Sequence, residues 1–205
     1  MQNTQARVNI YALLSRVLLQ ELDENLLNTI KSDENILEFF PTLAEWEPLK
    51  NVDSKKLLQE YLNPDFVNLS ILHLIPYETF YTREDKMIET GGANPVTDMY
   101  SAYDFMVDFE EARTISADHI GVELEFMHHL CEAELKANEK KDERAVAELK
   151  TIQHEFLNKH LLRWAPMYLI NMKFEARTPL YYDAAEMAIE FILSDNEYLV
   201  KELKL

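Results

Sequence analysis

One pair of residues has metal-ligand spacing. Glu125-x-x-His128 puts a carboxylate and an imidazole three residues apart, on one face of a helix, as in di-iron bundles. Such centres need the pair twice, with further inward carboxylates, and no second Glu-x-x-His occurs. His154-Glu155 with His160 misses the His-Glu-x-x-His spacing of a zinc-binding helix. These side chains read as a solvated helix face, and a carboxylate-bridged metal enzyme stays only as the lesser alternative. Gly91-Gly92 has neither the Walker lysine nor the Rossmann glycine spacing, and reads as a turn that needs positive φ. Cys131 falls on an apolar helical stripe and reads as a small core residue. As the single cysteine it excludes an internal disulfide and a thiolate zinc site, and it fits a reducing compartment. No catalytic residue, metal or cofactor is expected.

The elements that must position such residues are helices. Three glycines in 205 residues suit long helices, because glycine weakens a helix interior by about 1 kcal/mol relative to alanine. Val8, Tyr11, Ser15, Leu18 and Leu22 share a face of an opening helix. Asp53 to Leu62 predicts a second helix, stopped by Asn63-Pro64. Thr97 is placed to cap a helix with Met99, Tyr103, Met106 and Phe109 inside. Ser116 is placed to cap the next, with Asp118 in its first turn, where a carboxylate meets the positive end of the helix dipole. Its apolar stripe is Ile120, Leu124, Met127, Cys131 and Leu135. Ala145, Leu149, Ile152 and Phe156 predict a helix running to about Trp164, with Ala165-Pro166 as a kink or restart. Thr178-Pro179 starts the last helix, which buries Leu180, Ala184, Met187 and Phe191. No alternating run reads as a strand. The expectation is an all-α, compact multi-helix bundle: one domain over 1–205, with a long loop near 82–97.

Charge narrows the partners. The net charge of −17 excludes the basic footprint that nucleic acids and anionic membranes require. No stretch approaches the roughly 20 apolar residues of a membrane span. The apolar stretch Val8 to Leu19 is interrupted by Asn9, Ser15 and Arg16, and no small-residue cleavage site follows it. No two arginines are adjacent, so no twin-arginine signal is expected in the chain itself, and a cytoplasmic location is. From Glu78 to Glu134 there are 14 acidic and 3 basic side chains, a net −11. The same segment holds Phe80, Tyr81, Met87, Met99, Tyr100, Phe105, Phe126 and Met127. A solvated acidic surface over an apolar core is one reading. An acidic, soft-walled groove for a cationic, apolar peptide is the other, since paired arginines match clustered carboxylates.

Ser116-Ala117-Asp118-His119-Ile120-Gly121-Val122-Glu123-Leu124-Glu125-Phe126-Met127 resembles the Asp-His helix signature of the TorD/DmsD/NarJ chaperones, which mature molybdenum-containing redox enzymes. Pro76-Tyr77-Glu78-Thr79-Phe80-Tyr81 is similar to that family's Pro-Tyr-Glu-Ser-x-Tyr segment. Tyr11 to Arg16, Phe156 to Pro166, and Tyr181-Tyr182 with Ala184-Ala185 resemble further family segments, in the right order over nearly the whole chain. Ser116 stands where the family often has proline, Ala117 where it often has a second acid, and Ser70 where it has an aromatic.

The resemblance implies an all-helical, cytoplasmic chaperone without catalytic turnover. Its partner would be the precursor of a molybdenum-containing oxidoreductase, held by its twin-arginine signal peptide until the cofactor is inserted. A NarJ-like assembly chaperone for a non-exported redox subunit is the alternative. The resemblance assigns peptide binding to Asp118 and His119, with Tyr77, Glu78 and Tyr81 beside them. Asp65, Phe66 and Leu69, in its acidic-aromatic stretch, are expected to bind the peptide as well. Taken singly, Asp118 is equally a helix-cap carboxylate, His119 a structural histidine, and Tyr77 and Tyr81 packing residues. Glu78 is the next candidate for an arginine contact. A monomer and a domain-swapped dimer both stay open.

Overall fold

The computed structural model describes residues 2–205. The described residues are mostly helical, and among them there is no strand, only an isolated bridge between Tyr77 and His119. Its residues divide into two compact units. One gathers the residues up to Leu19, Tyr77–Pro166 and Phe191–Leu205; the other gathers Gln20–Pro76 and Met167–Glu190.

In the first unit the opening helix Gln2–Leu19 packs on the helix Ile120–Glu139. The two come very close at Gly121. A β-carbon there would stand 2.6 Å from Leu19 Cβ and 2.8 Å from Leu19 Cα, so only glycine fits, and the Ser15 hydroxyl donates to the Gly121 carbonyl at 2.8 Å. Val8, Tyr11, Ser15 and Leu18 are buried as expected; Leu22 is buried too, but lies past the helix end. Tyr100, Phe126 and Phe156 meet ring to ring, and Cys131 is buried, which pushes its thiol pKa up. The same unit holds a buried charged knot. The Arg7 guanidinium donates to Asp195 at 2.5 and 3.0 Å, to Glu134 at 2.8 Å and to Gln153 at 2.6 Å, while the Tyr11 hydroxyl donates to Asp195 at 2.7 Å.

In the second unit Asp23 and Asp53 cap helical starts by accepting the Leu26 and Lys56 N–H groups. Leu27, Ile30, Phe40, Leu43, Leu62, Tyr168 and Tyr181 form its core.

Three expectations need correction. Asn63-Pro64 does not end its helix. A π-helical turn over Leu58–Leu62 precedes Asn63–Val67, so Glu60, whose carbonyl Pro64 cannot serve, lies in the wider turn. The helix beginning at Thr97 stops at Ala102, because Asp104 turns left-handed (φ 54°) and the Phe105 N–H returns to the Tyr100 carbonyl at 2.9 Å. Met106, placed inside by periodicity, is 91% exposed, and Phe109 is exposed as well. Neither Gly91 nor Gly92 has positive φ; the Gly91 N–H instead donates to the Glu89 carboxylate at 2.9 Å. Pro166 lies inside the helix Leu162–Glu175 without ending it, following a π turn over Leu157–Leu161. The last helix does begin at Pro179.

Candidate functional site

Tyr77, Glu78, Tyr81, Asp118 and His119 come together in the first unit. Two short extended segments each lead into a helix, Glu78–Thr82 and Ile120–Glu139, and they pair once: Tyr77 bridges His119, and the Glu78 N–H donates to the Asp118 carbonyl at 3.0 Å. Ser116 is not the cap of the second helix. His119 is, its Nδ1 accepting the Gly121 N–H at 3.1 Å, so Asp118 precedes the helix rather than sitting in its first turn. Accepting at Nδ1 requires a neutral ring. Burial favours that form and lowers the His119 pKa to about 4, only partly opposed by the Asp118 charge. The Tyr77 ring meets the His119 ring edge-on at 5.1 Å, and its hydroxyl pairs with that of Thr114 at 3.0 Å.

Asp118 is fully buried, and its carboxylate gathers donors from three segments. Thr79 gives its N–H at 2.7 Å and its hydroxyl at 2.6 Å. The Asn94 amide gives a third bond at 2.9 Å, and the Ser116 hydroxyl lies against the same carboxylate. The Asn94 amide and the Ser116 hydroxyl also reach the Glu89 carbonyl, at 2.9 and 2.6 Å, and the Glu89 N–H donates to the Thr79 hydroxyl at 3.0 Å. Asp118 thus clamps the irregular segment 83–96 onto the start of the helix Glu78–Thr82.

Glu78 is also buried. Its Oε2 lies 2.9 Å from His160 Nδ1. Beside it is Glu123, which the sequence reading passed over. The Trp164 indole N–H donates to Glu123 Oε2 at 3.3 Å, and the Glu123 and Glu78 carboxyl groups lie within hydrogen-bond reach of each other. Burial, and then the charges of Glu78 and Asp118, push the Glu123 pKa well up, so the neutral acid is favoured. Tyr81, half-buried, stacks on Trp164 at 5.4 Å.

The acids singled out for an arginine contact therefore face inward. Their carboxylates are engaged inside the protein, and their place in the fold is that of positioning groups. The exposed acids of the segment are others: Glu84, Asp85, Asp98, Asp104, Asp108, Glu110, Glu111 and Glu125. They are interleaved with exposed Met87, Met106, Phe109 and Ile115. Arg83 already holds Asp85, through two bonds of 2.9 and 2.6 Å, and lowers its pKa to about 2. The signal for this surface was present in Phe105-Met-Val-Asp-Phe-Glu-Glu111, where apolar and acidic residues alternate after a helix has broken.

In the second unit Asp65 plays a similar part. It is buried and accepts the Arg177 N–H, the Thr178 N–H at 2.8 Å and the Thr178 hydroxyl at 2.7 Å, fixing the turn before the last helix. Phe66 packs on the Tyr181 ring at 5.9 Å, and Leu69 is fully buried. All three are core residues of that unit.

Glu125 is exposed, and His128 Nδ1 lies 3.1 Å from the Val8 carbonyl. Among the described residues no group of three or more His, Cys, Asp or Glu is arranged to hold a metal ion. No described helix is long and apolar enough to cross a membrane.

The sequence pattern of the nitrate reductase delta subunit family matches residues 30–169. A chaperone protein TorD of Vibrio parahaemolyticus is 28% identical over 211 residues, covering 96% of this chain and 95% of that protein. Chaperone proteins TorD of Vibrio atlanticus and Photobacterium profundum are each 26% identical, and each match covers 96% of this chain and 95% of the relative. The chain belongs to the nitrate reductase delta subunit family, the group of TorD- and NarJ-type chaperones. It is a chaperone of that group and not an enzyme.

Proposed function

We propose that this protein is a cytoplasmic maturation chaperone that binds the twin-arginine signal peptide of a molybdoenzyme precursor and holds it while the cofactor is inserted before export. The observation that carries the reading is the set of exposed side chains between Glu84 and Ile115. There Met87, Met106, Phe109 and Ile115 alternate with carboxylates, matching in kind a leader with an arginine pair and an apolar stretch. In this reading Asp118, His119, Tyr77, Glu78 and Tyr81 act from beneath, by fixing the segment that meets the leader. Asp65, Phe66 and Leu69 support the other unit in the same way.

The test is calorimetric titration of the leader into wild type, Met106→Ser and Glu110→Lys/Glu111→Lys, at low and high salt. Exposed charge pairs are screened beyond about 8 Å at physiological ionic strength, so affinity is expected to fall as salt rises. It is also expected to fall in both variants. Equal affinity in every arm removes the proposal. The match to the nitrate reductase delta subunit family favours one second reading, assembly of a redox subunit that is not exported. Co-purification of a partner that lacks a leader would select it.

A further inference from the structure

The second unit has a recess that none of the candidate-site residues above lines. It has a volume of about 530 Å³ and is walled by Ile170, Phe174, Tyr182 and Ile189, with Lys173, Glu186 and Glu190 at its charged positions. That volume falls in the range of roughly 300–1,000 Å³ typical of ligand sites. Phe174 is 85% exposed, and Met167 and Ile170 are exposed on the same helix at i, i+3 and i+7. A stripe at that spacing ordinarily faces a core. Here it faces outward, and large exposed apolar groups of this kind mark interaction sites.

The charges select the occupant. Lys173 is already matched: its ammonium lies 2.7 Å from Glu186 and 4.7 Å over the Tyr182 ring. Glu190 is exposed and takes no ion-pair partner among the described residues. The unmatched charge of the recess is therefore negative, and a cationic group would complement it. A second copy of this chain would bring another −17 of charge against it. The geometry points to a docking site for one amphipathic helix of another protein, with large apolar residues at i, i+3 and i+7 and a lysine or arginine beside them. This is the helix-in-groove mode of recognition, with Ile170 and Phe174 as the apolar wall and Glu190 as the charge at the rim.

The probe is a labelled synthetic helix of roughly 18 residues, about five turns, with leucine on one face and lysine at its edge. A matched peptide carries glutamate in place of lysine. Fluorescence anisotropy with the full chain is expected to show saturable binding of the lysine peptide. Binding should fall at least tenfold in Phe174→Ser and in Glu190→Lys, and should be weak for the glutamate peptide. Both substitutions are at exposed positions, and circular dichroism checks that each variant is folded. Titrating the leader into the same variants separates this site from the proposed leader surface, because its affinity should not change. Binding that is equal in Phe174→Ser overturns the proposal as non-specific attraction to an acidic protein. So does a dimer in sedimentation that Phe174→Ser dissolves, which would make a second copy the occupant.

Discussion

Asp118 and Thr79 are joined twice, through the Thr79 N–H at 2.7 Å and its hydroxyl at 2.6 Å, although 39 residues separate them. The pairing places a fully buried carboxylate where only donors meet it. An aspartate at this position is therefore a fastening for the segment 83–96 before it is anything else.

Asp118→Ala leaves these donors buried and unmatched, at an expected cost of about 3 kcal/mol. Asn at 118 turns an amide N–H₂ toward some of the same donors, so Asp118→Asn should recover only part of the loss. Urea unfolding measures both, and limited proteolysis should find new cleavage within 83–96. A variant as stable as wild type and as resistant to cleavage would contradict the clamp.

Glu123 ties stability to pH. Its folded pKa is raised well above the ordinary 4.5, so its contribution is full below about pH 4.5 and is lost as pH rises through the folded value. Glu123→Gln cannot ionise. Its stability relative to wild type should therefore rise with pH, as read from urea midpoints between pH 5 and 8. Parallel pH profiles for the two proteins would show that burial does not hold this acid neutral.

His119 acts in the opposite direction. Its pKa falls from 6.5 to about 4 on folding, so its contribution is present above pH 6.5 and is lost as pH falls toward 4. The full effect is on the order of 3 kcal/mol. His119→Asn keeps a capping acceptor for the Gly121 N–H without the titration, and should lose less stability between pH 6.5 and 4.5 than wild type does.

Gly121→Ala should destabilise by about 1–3 kcal/mol, the usual cost of overpacking. The added methyl would meet both Cβ and Cα of Leu19. Leu19→Ala therefore should not rescue it, because those two atoms remain. Thermal unfolding of the single and double variants reads the outcome, and full rescue would show that only the leucine side chain was in the way.

The helices were legible where periodicity and caps agreed, as at Thr178-Pro179 and along the stripe from Ile120 to Cys131. They were misread where a local rule met a longer-range contact. Asn63-Pro64 looked like a stop because a π turn leaves no mark in a sequence. Met106 looked buried because the left-handed Asp104 that breaks its helix is an unremarkable residue. The Asp-His pair was legible as a motif, but not as an interior one. Ser116 is by type the better cap, and only the crossing of three segments shows that its hydroxyl turns to Asp118 and leaves the cap to His119. Glu123 carried no signal at all, since an acid on a mixed helix reads as solvated.

The Arg7 knot sets a condition on how this protein is made. Its partners are Glu134, Gln153 and Asp195, the last 188 positions downstream. On a growing chain Arg7 can meet Glu134 and Gln153 before Asp195 is made, so the knot itself is complete only after synthesis has passed residue 195.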